Sequence, residues 1–126
     1  MTLTFKENLP DNCPLPDSTE QELTDVWRFL NSVSVEEECF ASFAALGQPV
    51  RKGKDECRWA SCSLFEGDSL TASMLKLPMY KRFMARAKLA IPVGSGRALR
   101  EQNGHIDFWA YSGFSFTAAV LKVEPK

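Results

Sequence analysis

A single histidine occurs in the 126 residues, and it opens the stretch richest in reactive groups, His105-Ile106-Asp107-Phe108-Trp109-Ala110-Tyr111. The stretch alternates with a period of two. On a strand this sends His105, Asp107, Trp109 and Tyr111 to one face and Ile106, Phe108 and Ala110 to the other. With the second face on the core, the first becomes a row of rings and polar groups able to line a pocket. An imidazole beside a carboxylate carries protons near neutral pH. His105 is therefore the candidate general acid or base, with Asp107 or Glu101 holding it. The competing reading is an ordinary sheet face whose rings pair with neighbouring strands.

Gly94-Ser95-Gly96-Arg97 offers flexible glycines, a hydroxyl and a guanidinium, groups that can surround an anion. It lacks the lysine of a P-loop and the full dinucleotide fingerprint, so a strand-to-strand connector is the stronger expectation, with Arg97 kept as a ligand-binding candidate. The four cysteines, Cys13, Cys39, Cys57 and Cys62, form no Cys-x-x-Cys pair, which argues against structural zinc. Cys39 and Cys62 read as small buried hydrophobes. Cys57 or Cys13 beside His105 would make a nucleophilic pair, but no local signature supports it. The serine-hydrolase elbow, the paired-histidine motif and the EF-hand loop are all missing, so the balance goes against catalysis, and no metal or cofactor is implied.

Charge is divided along the chain. Residues 1–40 hold nine acidic residues against Lys6 and Arg28, while the remainder holds thirteen basic against seven acidic ones. Part of the acidity suits helix first turns. The basic excess includes Lys81, Arg82 and Arg86, a patch for an anionic partner if residues 78–88 form a basic helix, with Arg51, Lys52 and Lys54 as a second strip. A pI near 5.8 and the lack of a nucleic-acid motif disfavour nucleic acid as that partner. The start, Met1-Thr2-Leu3-Thr4-Phe5-Lys6-Glu7, shows no basic region followed by an apolar one. No apolar run approaches the roughly 18 residues of a membrane span. The expectation is a cytoplasmic protein with reduced thiols and no membrane contact.

The elements that must position these groups are read from period and punctuation. Residues 1–17 form an extended lead-in with a short edge strand at Leu3 and Phe5, flanked by Thr2 and Thr4. Ser18 with Gln21, and Ser34 with Glu37, look like two capping boxes. Leu23, Val26, Trp27 and Leu30 follow the first, and Val35, Cys39, Phe40, Phe43 and Leu46 the second, so residues 18–46 are expected as a helical hairpin. Cys57–Phe65 reads as a strand, and Leu70–Ala87 as a third helix interrupted at Pro78. From Leu89 the period returns to two, with turns at Asn103-Gly104 and Ser112-Gly113, and a C-terminal β-meander results.

The fold class expected is α+β: one domain, 1–126, with the hairpin and third helix packed on one face of an antiparallel sheet of four to five strands. The leading functional expectation is a non-catalytic binding or adaptor module. Its aromatic sheet face would recognise a protein or small molecule, and a homodimer is one partner that the ring-rich segment Phe108–Phe116 admits. The alternative is a small enzyme using His105, and the third reading is nucleic-acid binding through 78–88.

Overall fold

The computed structural model describes residues 3–126. Six strands, β1 (Leu23–Leu30), β2 (Cys62–Glu66), β3 (Ala85–Ile91), β4 (Gly96–Arg100), β5 (His105–Ala110) and β6 (Val120–Pro125), form one antiparallel sheet in the order β4-β5-β2-β1-β3-β6. Three short helices accompany it: α1 (Glu56–Trp59), α2 (Asp68–Met74) and α3 (Phe116–Ala119).

The sheet overturns the expected helical hairpin on a four-to-five-strand sheet. Where its first helix was expected lies β1, a central strand whose Leu23, Val26, Trp27, Phe29 and Leu30 are all buried. A strand covered on both faces is apolar at both parities, and its doublets imitate helical spacing. A bulge between Leu23 and Val26, with Asp25 at φ 51°, also breaks the period of two. Ser18 caps no helix; its hydroxyl donates to the Leu15 carbonyl at 2.6 Å and accepts from Arg97 Nε at 2.9 Å. The second expected helix shrinks to a 3-10 turn, Glu37–Phe40. Glu37 turns away from that segment, and its carboxylate accepts from the Thr117 N–H at 2.8 Å, in the first turn of α3.

The third helix is also shorter than the sequence suggests. α2 ends at Met74, Pro78–Tyr80 is a 3-10 turn, and β3 begins at Ala85. Ala85, Ala87, Leu89 and Ile91 are buried with a period of two, and pairing with β1 and β6 fixes them in the sheet. Residues 78–88 are therefore no basic helix. Cys57 belongs to α1, which Asp55 caps by accepting from the Arg58 N–H at 3.0 Å, and β2 starts five residues later. After β5 the chain does not continue a meander. α3 carries it across to β6 at the far edge, beside β3. Phe5 makes an isolated bridge to Tyr111; Thr2 lies outside the described residues.

The sheet is covered on both sides. One face buries Val26, Leu64, Leu89, Ile106 and Phe108 under Phe40 and Phe116, whose rings stack 4.7 Å apart. On the other face the Arg86 guanidinium lies 3.8 Å over the buried Trp27 ring, held by Asp68, Glu124 and Thr71. A disulfide joins Cys13 to Cys57, correcting the expectation of reduced thiols at these two positions, and ties the lead-in to α1. Among the described residues no helix is long and apolar enough to cross a membrane.

Candidate functional site

The β5 face divides as its alternation requires. Ile106, Phe108 and Ala110 enter the core, while His105, Asp107, Trp109 and Tyr111 point the other way. That second face is not an open row, because α1 and the lead-in cover most of it. Trp109 is 2% exposed and its Nε1 donates to the Cys57 carbonyl at 3.0 Å. The Tyr111 hydroxyl donates to Glu20 at 2.9 Å; burial, joined by that carboxylate, raises its pKa. Arg97 is engaged with the Ser18 hydroxyl and carbonyl. Each of these three residues is thus engaged within the chain. Phe108 and Phe116 are buried as well, and Phe114 packs on the same core, so the ring cluster is satisfied within the chain.

His105 and Asp107 belong to a polar network. Asp107 is 1% exposed; its Oδ1 accepts from the Ser61 hydroxyl at 2.7 Å and its Oδ2 from Arg58 Nη1 at 2.6 Å. Burial pushes its carboxyl above the usual range, against the lowering effect of the Ser61 hydrogen bond, His105 and Arg58. Arg58 Nη1 also contacts Glu101. His105 Nδ1 faces Glu101 Oε1 at 3.5 Å and Asp107 Oδ2 at 4.0 Å, and its Nε2 lies 3.1 Å from Ser63 Oγ. The potential ligand atoms of Glu101, His105 and Asp107 fall within 4.8 Å of one another. The Arg58 guanidinium already supplies the positive charge that a metal would bring to the two carboxylates.

Beside this network the sheet splits. β1 and β2 pair only at Val26–Glu66 and Trp27–Phe65; β1 then follows β3 to Ala85, while β2 follows β5 to Phe108. Arg28 fills the narrow end of the wedge, donating to the carbonyls of Cys39 and Ser63 at 3.0 Å and of Ala41 at 3.3 Å. A groove of ≈ 690 Å³ opens there. Phe29, Phe65, Tyr80 and Phe83 pack against one another as an aromatic wall, and Phe43, Leu46, Ser61 and Ser63 also line the groove. Arg51 and Arg82 also border it; Arg82 lies 4.6 Å from the Phe83 ring centre. A second cavity, ≈ 20 Å³ near Phe40 and Phe116, has room for about one water.

No family model matches the chain, and neither does any curated protein or solved structure. Of the basic residues expected to act together, Arg82 borders the groove, Lys81 is exposed in the turn before β3, and Arg86 is buried over Trp27. Cys39 lines the groove as a free thiol, whereas burial pushes the Cys62 thiol up to about 11. Sequence reasoning missed Ser63, Arg28 and the aromatic wall. Ser63 meets His105 only through the β2–β5 register, a pairing that local spacing cannot encode.

Proposed function

We propose that the protein is a binding module whose groove between β1 and β2 takes an amphipathic anion, an apolar or aromatic body bearing a carboxylate. The carrying observation is the lining itself: an aromatic wall bordered by Arg28, Arg51 and Arg82, with Glu38 as the one acidic residue among the lining groups. Rings supply apolar contact area, and guanidinium groups pair with carboxylates through parallel N–H donors. The groove's ≈ 690 Å³ falls within the range of about 300–1,000 Å³ usual for small-ligand sites. This moves recognition away from the covered β5 face and onto the neighbouring split in the sheet. Binding of anilinonaphthalene sulfonate, followed by fluorescence, tests the reading. Decanoate should displace the dye, decyltrimethylammonium should not, and Arg82→Ala should weaken decanoate. Equal displacement by both detergent-like ions would remove the anion from the account, and absence of dye binding would remove the groove.

A further inference from the structure

We infer that Ser63 is a nucleophile for acyl transfer, acting on esters of the same amphipathic acids; the inference rests on the groove being their binding site. Ser63 stands on the β2 wall of the groove, and its Oγ lies 3.1 Å from His105 Nε2. On the opposite side of the imidazole, Nδ1 faces Glu101 Oε1 at 3.5 Å and Asp107 Oδ2 at 4.0 Å. Two carboxylates on that side favour the tautomer with its proton on Nδ1, which leaves Nε2 free to accept the serine proton. Arg58 braces both carboxylates, and Asp107 is further fixed by Ser61, so the groups that orient the ring are themselves held. Hydroxyl, imidazole and carboxylate thus stand in the roles of a nucleophile, its base and the base's orienting group, on a strand and without an elbow motif.

The wedge also supplies donors for a developing oxyanion. Glu66 directs its N–H to the Gly104 carbonyl on the β5 side, and strand alternation turns Ser63's N–H and carbonyl towards β1. That carbonyl is taken by Arg28 Nη1 at 3.0 Å, beyond the last β1–β2 pair. The Ser63 N–H shares this edge with the Arg28 guanidinium, and such donors stabilise the charge of a tetrahedral intermediate. In the step itself, Ser63 Oγ adds to the ester carbonyl carbon while its proton passes to His105 Nε2. The carbon–oxygen bond to the alcohol breaks, and the departing oxygen takes that proton. Water then attacks the acyl-serine with His105 as base, releasing the carboxylic acid and restoring the hydroxyl.

Intact protein treated with a fluorophosphonate-rhodamine probe, and separately with p-nitrophenyl octanoate, tests this. Labelling should map to the Ser63 peptide by mass spectrometry, disappear in Ser63→Ala and be slowed by decanoate. His105→Ala should lower the labelling and hydrolysis rates by roughly 10²- to 10⁴-fold, the range of a lost general base. Thermal melts should show both variants folded. An unlabelled Ser63, or His105→Ala labelling as fast as the parent, overturns the inference. If decanoate still displaces the naphthalene dye in that case, the binding reading survives alone. If Ser63 is labelled but decanoate neither displaces the dye nor protects, the nucleophile stands and the groove's ligand class is wrong.

Discussion

The disulfide between Cys13 and Cys57 offers the most quantitative perturbation. It closes a loop across 44 residues that contains β1 and the Glu37–Phe40 turn, so the unfolded chain loses much freedom when it is present. Loop-closure entropy for a loop of that length gives about 4 kcal/mol of stabilisation at 25 °C. Replacing both cysteines by alanine should therefore cost about 4 kcal/mol. With a urea m of about 2 kcal/mol/M, the midpoint should fall by about 2 M. Either single alanine variant should cost nearly as much as the pair, because one missing sulfur already breaks the link, and reductant should move the parent to the same place. Urea unfolding can be followed through Trp27, Trp59 and Trp109, all of them buried. A parent midpoint unmoved by reductant, or a double variant within about 1 kcal/mol of the parent, would refute the reasoning.

Three further outcomes follow from the packing and the charges. Phe108→Ala empties a site between Phe114 and Phe116 and should cost about 3 to 5 kcal/mol, whereas His105→Ala should cost about 1 kcal/mol or less; comparable urea midpoints for the two would mean that the β5 register is misassigned. Gly96→Ala would set a Cβ 2.3 Å from the Trp109 carbonyl oxygen, and chemical denaturation should show a loss of about 3 kcal/mol or more. At Glu37 burial pushes the pKa up, but the Thr117 N–H, Ser115, Lys6 and the Thr117 hydroxyl outweigh it, leaving the carboxyl below its usual 4.5. Its stabilising share is thus present above pH 4.5 and is lost as pH falls through the lower folded value. Glu37→Gln should flatten the acid limb of a stability–pH curve, and an unchanged limb would count against the capping role.

The sequence announced some elements and concealed others for physical reasons. β5 was readable because one parity, Ile106, Phe108 and Ala110, is uniformly apolar, and Asn103-Gly104 marks the turn before it. Pro78 does divide the segment in which it lies. β1 was hidden because Trp27 and Phe29 are buried on the face opposite Val26 and Leu30, which erases alternation and imitates a helix. The apparent capping box at Glu37 misled because the carboxylate serves α3 instead of its own segment. Of the site, His105, Glu101 and Asp107 were legible as a cluster by type and spacing. Their partners were not: Arg58 and Ser63 arrive through pairings 42 to 49 residues apart. The groove exists because two strands diverge, an effect of register that composition leaves invisible.

The groove reading is tested most directly by mapping where a carboxylate binds. With decanoate titrated into ¹⁵N-labelled protein, amide shifts should concentrate along the wedge, at Arg28, Phe29, Ser63, Phe65 and Phe83, and saturate together. Decyltrimethylammonium should leave those signals in place. Shifts scattered over the surface, or confined to residues far from the split between β1 and β2, would contradict the account.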